Sequence, residues 1–264
     1  MPELPEVETL CRQLKKVILG EVIEDVKIID SKLEMIRDAA GKCITAVTRR
    51  GKALEIHIDN DRAIMIHLRM TGRLLWHDDR QVLPPHSRFM ISFAKGSLVC
   101  IDPRRFATVR TDIKSVPGHS SGTGIIEDPL RCFPADRLEE MARIRKLPVK
   151  SFLMDQRVIL GIGNIYACEI LYEASVHPWR KACSLLIHEW ENIERATANI
   201  LKKAVACRGT TVSDWRDLFG RSGEYQHELK VYARDGCPCQ RCGGVIGRER
   251  LGGRGTYFCP SCQK

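Results

Sequence analysis

The hydrophobic period of this chain changes once, and that change limits the fold more than any single residue does. Up to about residue 111 the apolar residues fall in short β-rich runs, among them EVIEDVKII, KALEIHI, AIMIHL, FMISF and SLVCI. Gly, Asp, Asn and Pro turns separate these runs. Ahead of them Val7, Leu10, Leu14, Val17 and Ile18 lie at helical spacing and predict an amphipathic helix over 6–18. Farther on the pattern is helical, with helices predicted near 136–145, 149–156, 164–175, 184–207 and 211–219 and a loop over 220–230. Strands segregated from helices describe an α+β multidomain chain, beginning with a β-sandwich or barrel behind a leading helix. Residues 114–129 (KSVPGHSSGTGIIEDP) are rich in Gly, Ser and Pro and read as a linker. The resulting division is 1–113, a linker at 114–130, a helical domain at 131–230 and a Gly- and Cys-rich module at 231–264.

That last module carries the most specific metal signal. Cys239 and Cys242 form one C-x₂-C pair and Cys259 and Cys262 a second, with 16 residues between them. Four thiolates at this spacing suit one tetrahedral structural zinc, and the glycine pairs at 243–244 and 252–253 suit a β-hairpin of the zinc-ribbon type. A redox role for one pair would leave the matched second pair unexplained. Cys237 offers a register alternative, but with Cys239 it makes only C-x-C. The remaining cysteines are Cys11, Cys43, Cys100, Cys132, Cys168, Cys183 and Cys207. They are scattered through apolar segments as buried thiols are, which fits a reducing compartment.

The chain begins MPELPEVE. Removal of the initiator Met before a small residue would leave Pro2 as a free secondary amine, able to attack an aldehyde-like carbon without an activating base. Glu3 and Glu6 follow three residues apart, on one helical face, as candidate acid/base groups. The same string also suits a plain helix start, with Pro in the first turn and acids against the helix dipole.

Net charge is +9, and residues 201–264 hold 12 Lys/Arg against 6 Asp/Glu, so two-thirds of the excess lies in the last quarter. One zinc on four thiolates changes the total to +9 − 4 + 2 = +7, still basic. Such a balance suggests a polyanion such as nucleic acid. No apolar run approaches the roughly 18 to 20 residues of a membrane span, and the acidic amphipathic N-terminus is no signal peptide. A soluble intracellular protein is expected. Gly161-Ile162-Gly163-Asn164 precedes a helical pattern, where Asn164 can cap the helix and backbone N–H groups can meet a phosphate. Arg254, in the second half of the ribbon, is either a phosphate contact or a solvated turn arginine. Met70, Arg104 and Phe106 fall in turns of the β domain. They have the side chains an enzyme needs to fill the hole left by an extruded base, although for Met70 and Phe106 taken alone core packing is the better reading.

Taken together, PELPEVE at 2–8, RRGK at 49–52, IHLRMTG at 66–72, DPRRF at 102–106, LMDQ and GIGNIYACE within 153–169, the loop and VYAR at 220–234 and the ribbon at 239–262 resemble the Fpg/Nei family. These are bifunctional formamidopyrimidine-DNA glycosylases, and the strings run in family order along the whole chain. The resemblance implies a β-sandwich, a helix-two-turns-helix domain and a zinc ribbon, with double-stranded DNA in the cleft between domains. It implies that Pro2 attacks the sugar of an extruded oxidised nucleotide, that Glu3 protonates the ring oxygen and that Glu6 orients the amine. Lys52 would lie near the lesion and its phosphate. Lys150, Asn164 and Arg254 would hold the DNA backbone, and Met70, Arg104 and Phe106 would fill the gap. PELPE, rather than PEGPE, points to the Fpg/MutM branch for oxidised purines (8-oxoguanine and formamidopyrimidines) rather than the Nei branch for oxidised pyrimidines. A catalytically silent binder of damaged DNA is the third reading, and it has no need of PELPEVE or Lys52. Ala107 stands where the family usually has Gly, and 84–90 and 114–129 match poorly. The expected protein is a monomeric, cytoplasmic DNA-repair enzyme with one zinc.

Overall fold

The computed structural model describes residues 1–59, 62–79, 83–113, 125–126 and 128–264. Of the predicted linker, residues 114–124 and 127 lie outside them. The chain forms two compact units: residues 1–121 with 207–224, and residues 122–206 with 225–264.

The first unit opens with helix α1 (Leu4–Ile18), whose Val7, Leu10, Cys11, Leu14 and Ile18 are all buried. Two antiparallel four-stranded sheets follow. One has the order β1 (Asp25–Ile28), β6 (Ser87–Phe93), β7 (Gly96–Ile101), β5 (Arg73–His77). The other runs β2 (Ile44–Arg50), β3 (Ala53–Ile58), β4 (Arg62–His67), β8 (Thr108–Ile113). Alternating residues of both sheets, such as Leu54, Ile56, Ile64, Ile66, Phe89, Ile91 and Leu98, share one core with the inner face of α1. This is the arrangement that makes a sandwich of two amphipathic sheets. Residues 31–39, inside the β-rich stretch, form a 3-10 turn started by Asp30, whose side chain accepts from Lys32 N–H.

The second unit is helical: α2 (Ala135–Ala142), α3 (Val149–Met154), α4 (Asn164–Glu173) and α5 (Ile187–Ala206), then the antiparallel hairpin β9 (Gly247–Leu251) and β10 (Arg254–Phe258). Gly252 and Gly253 link the two strands with φ of 57° and 76°, the left-handed pair that a two-residue hairpin turn requires. Four of the predicted helices form within a few residues of expectation. The helix predicted over 211–219 does not. Thr211 Oγ1 and Trp215 Nε1 spend their donors on the carbonyls of Trp215 and Arg208, and Asp217 accepts from the N–H groups of Phe219 and Arg221. Local side-chain bonds thus replace the helical ladder. This stretch belongs with the first unit, whereas its periodicity groups it with the helices. Cys132 and Cys183, expected to be buried, are exposed, while Cys11, Cys100 and Cys168 are buried.

Candidate active site

The N-terminal string folds as a capping box. Glu3 is the N-cap of α1; its N–H donates to Glu6 Oε2 at 2.7 Å, while its own carboxylate accepts from the backbone of Glu6. The helix-start reading and the acid/base reading are therefore the same geometry. Pro2, Glu3 and Glu6 are all buried. The other oxygen of Glu6 accepts from Thr210 N–H at 2.7 Å, which leaves Glu6 fully occupied in holding backbone. Such a carboxylate orients the chain start better than it shuttles protons, and Glu3 stands one residue behind the amine that Met1 removal would expose.

Lys52 occupies the two-residue turn between β2 and β3. Arg49 fixes this turn to α1: its side chain is 2% exposed, bonds Glu8 Oε2 at 2.8 Å and donates to Gly51 O at 3.3 Å. Burial pushes the Glu8 carboxyl up, but Arg49 and Arg12 outweigh it and hold it below its ordinary value. His67, across the hairpin from Ala53, has its pKa lowered to about 4, first by burial and then by the Arg69 and Lys52 cations. A neutral ring is what its place demands, because Nδ1 accepts from Arg69 N–H at 3.0 Å, just ahead of Met70.

Met70 and Phe106 are half-exposed, at 50% and 46%, so neither is a core residue. The Arg104 guanidinium lies 4.6 Å from the centroid of the Phe106 ring, a cation–π contact that pairs two of the three wedge candidates. One buried carboxylate governs both loops. Asp102 Oδ1 accepts from Thr71 Oγ1 at 2.5 Å and from Arg104 N–H at 3.3 Å, and Oδ2 accepts from Ala107 N–H at 2.6 Å. Arg88, also buried, bonds Ala107 O at 2.9 Å and Asp30 at 2.6 Å. Sequence reading passed over Asp102, although an Asp opening an Asp-Pro-Arg-Arg turn is a known signal for side-chain-to-backbone bonding.

The second group of candidates lies in the other unit. Asn164 is the first residue of α4 and Gly163 is its cap, so the expected Asn164 cap is corrected. Its amide is needed elsewhere: Oδ1 accepts from Lys150 Nζ at 2.6 Å and Nδ2 donates to Gly255 O at 3.0 Å. Lys150 is buried and also donates to Thr256 Oγ1 at 2.6 Å. It therefore sits beneath the surface, joining α3, the start of α4 and β10. Arg254 is exposed at the start of β10 and lines a small hollow with Lys150, Ser151 and Gly252. Gln156 shapes the glycine turn, accepting from Gly161 N–H and donating to Ile162 O. Pro2, Glu3, Glu6, Lys52, Met70, Arg104 and Phe106 thus lie in one unit, and Lys150, Asn164 and Arg254 in the other.

In the terminal module the sulfurs of Cys239, Cys242, Cys259 and Cys262 all lie within 4.8 Å of one another, with Cys239–Cys262 at 3.8 Å and Cys242–Cys259 at 3.5 Å. A tetrahedron with Zn–S bonds of about 2.3 Å has edges of roughly 3.8 Å, whereas a disulfide needs about 2.05 Å. The Tyr172 hydroxyl lies 3.3 Å from Cys239 Sγ, an outer-shell contact of the kind that fixes a ligand. Cys237 is exposed and outside this cluster.

Residues 1–109 match the model of the formamidopyrimidine-DNA glycosylase N-terminal domain, 126–215 its H2TH domain, and 236–264 the zinc finger found in FPG and IleRS. The four cysteines hold one structural zinc. The chain is 39% identical to the formamidopyrimidine-DNA glycosylase of Desulforamulus reducens, over 100% of this chain and 99% of that protein. It is 36% identical to that of Streptococcus pneumoniae, over 100% and 99%. Among solved structures it is similar to a Lactococcus lactis FPG mutant in complex with a Fapy-dG containing DNA, with a TM-score of 0.91, 31% identity and full coverage of both chains. A complex of the wild-type Lactococcus lactis FPG with an oxidized pyrimidine containing DNA gives a TM-score of 0.90 at 32% identity, again over both chains in full. With three family models in order along its length, the chain belongs to the formamidopyrimidine-DNA glycosylase family.

Proposed function

We propose that this chain is a base-excision repair enzyme, a bifunctional DNA glycosylase and AP lyase that removes oxidised purines from duplex DNA. The observation that carries this reading is the buried Glu3–Glu6 pair, built into the cap of α1 directly behind Pro2. After loss of Met1, the Pro2 nitrogen lone pair forms a bond to C1′ of the damaged nucleotide as the C1′–N bond to the base breaks. The base leaves with the bonding electrons and takes up a proton. Glu3 protonates the ring oxygen O4′, the ring opens, and an iminium joins Pro2 to C1′. That cation acidifies C2′; loss of its proton expels the 3′ phosphate by β-elimination, and δ-elimination then expels the 5′ phosphate. Water releases Pro2.

In this reading Lys52 meets the lesion's phosphate, and Met70, Arg104 and Phe106 fill the vacated stack. Asn164 and Arg254 hold the DNA backbone, with Lys150 supporting both from below. Zinc has no part in the chemistry; it shapes the hairpin that presents Arg254. Among the described residues no helix is long and apolar enough to cross a membrane. A monomer acting in the cytoplasm on chromosomal DNA is the corresponding setting.

Borohydride trapping tests the reading. Met-processed protein with a duplex holding one 8-oxoguanine opposite cytosine should give a covalent adduct, which Pro2→Gly abolishes. An adduct only on an abasic or oxidised-pyrimidine duplex would keep the mechanism and change the substrate. The Lactococcus lactis relative is solved both with an oxidized pyrimidine containing DNA and, as a mutant, with a Fapy-dG containing DNA. Binding without any adduct would leave a silent damage sensor.

A further inference from the structure

Residues 207–224 form neither helix nor strand, yet they are fastened to α1 at two places. The first is Glu6. A Cβ on Gly209 would lie 2.6 Å from Glu6 Oε1, and one on Gly223 would lie 2.2 Å from Gly209 O, so both positions need glycine for the backbone to come this close. The second lies two turns along the helix. Gln13 Nε2 donates to Asp217 Oδ2 at 2.9 Å, and Gln13 Oε1 accepts from Leu218 N–H at 2.9 Å. Asp217 is fully buried, and its other oxygen gathers Phe219 N–H at 3.0 Å and Arg221 N–H at 2.9 Å. Leu218 O in turn accepts from Trp76 N–H, and Leu218 and Trp215 join the core beneath α1. Between these anchors the segment turns Phe219, 48% exposed, and Arg221 outward.

Resting on the glycosylase reading above, we propose that Gln13 is a positioning residue for excision of the damaged base. Glu6 bonds both Glu3 N–H and Thr210 N–H, so the 207–224 segment starts at the edge of the reaction centre. The base to be removed hangs on C1′, the atom that Pro2 attacks, and must lie against whatever walls that centre. Gln13, through Asp217, sets where residues 217–221 stand relative to the helix that carries Pro2. An abasic sugar has no base for this segment to hold, so Gln13 serves excision and not strand cleavage at a preformed abasic site.

The test uses Gln13→Glu, which keeps the acceptor for Leu218 N–H but turns a carboxylate toward Asp217. Full-length, Met-processed protein is assayed on an 8-oxoguanine duplex and on a preformed abasic duplex, with a melting curve beside each. Base release should fall roughly ten- to a hundredfold, the usual effect of losing a hydrogen bond to a charged acceptor. Cleavage of the abasic duplex should stay at the wild-type rate. Adding Asp217→Asn restores a donor facing an acceptor and should recover base release. If Gln13→Glu unfolds, Gln13→Met, which keeps the volume, is read in the same way. Equal loss of both activities, or unchanged base release with wild type active, would overturn the proposal alone. Wild-type protein inert on both duplexes would overturn the glycosylase reading and this proposal with it.

Discussion

Lys150 shows how much a single buried cation can organise. Its ammonium binds Asn164 Oδ1 and Thr256 Oγ1, each at 2.6 Å, with Gly255 O at 3.4 Å. Removing it strands those acceptors. Lys150→Met, which keeps the stem, should lower the stability of the helical unit by about 2–3 kcal/mol and weaken binding to damaged and undamaged duplexes alike, as read by melting and by titration with labelled DNA. Lys150→Arg should not rescue either property, because a planar guanidinium does not fit a tetrahedral donor site with almost no exposed surface. Asp30 is the counterpart in the sandwich unit. Hydrogen bonds from Arg105 first, then, against the opposing effect of burial, from Lys32 N–H and Arg88, hold its carboxyl far below the ordinary value. The unfolded carboxyl titrates near about 3.9. Below that pH the unfolded chain takes up a proton that the folded chain refuses. Asp30 therefore stabilises the fold at neutral pH, and its contribution drains away as pH falls below about 4. Asp30→Asn should melt earlier at pH 7, and its melting temperature should converge with that of wild type toward pH 2. Parallel curves would exclude this source of acid sensitivity. Sequence named Lys150 as a phosphate contact but gave no sign of its burial, since a lysine in LPVKSF looks the same above the surface or below it. Gln13 left no signal at all, because its partners lie more than 200 residues away.

At the scale of elements, the terminal hairpin depends on its metal. Two strands of five residues with exposed arginines cannot supply a core, and small modules of this kind fold on zinc. The module is tied back to the helices by backbone bonds between Lys264 and both Ser175 and His177, and by Gln263, which bridges Cys259 N–H and Val176 O. Chelation, or Cys259→Ser, should release one zinc per chain, loosen residues 236–264 to rapid amide exchange and reduce DNA binding, while the sandwich unit keeps its exchange protection. Loss of protection in both units would show that zinc supports more than the module. This element was legible from spacing alone, because two C-x₂-C pairs admit few other structures. Helix α1 and most strands were legible too, since each buries one face and its period records that. The 211–219 segment misled because Val212, Trp215 and Leu218 lie three apart, as on a helix. In the fold Trp215 and Leu218 do enter the core, but Trp215 is held there by its bond to Arg208 O, and Leu218 by Gln13 and Trp76. Periodicity sees which residues are buried and not which bonds hold them. The RRGK string was legible only in part: Lys52 was named, but not that Arg49 fixes its turn to α1.

For the molecule as a whole, charge sets how it meets DNA. The chain carries +9, or +7 with zinc thiolate-bound, and the candidate phosphate contacts are spread over both units: Lys52 in one, Arg254 with Asn164 in the other. Binding to phosphates releases condensed counterions, so the logarithm of affinity should fall linearly with that of salt, with a slope near −0.9 for each phosphate neutralised. Arg254 is exposed at the mouth of a two-residue turn with no acidic partner among the ion pairs described. Its contribution should be purely of this kind. Arg254→Ala should weaken binding to lesion-bearing and intact duplexes by the same factor and make the salt slope shallower by about 1. The ratio of the two affinities should not change, because a backbone contact carries no information about the base. Gln13→Glu should do the reverse, leaving the salt slope alone while altering the preference for the damaged duplex. Measuring both variants over a salt series therefore separates the grip on the backbone from the reading of the base. If Arg254→Ala altered the lesion preference while leaving the slope intact, Arg254 would be reading the lesion and the division of labour between the two units would have to be redrawn.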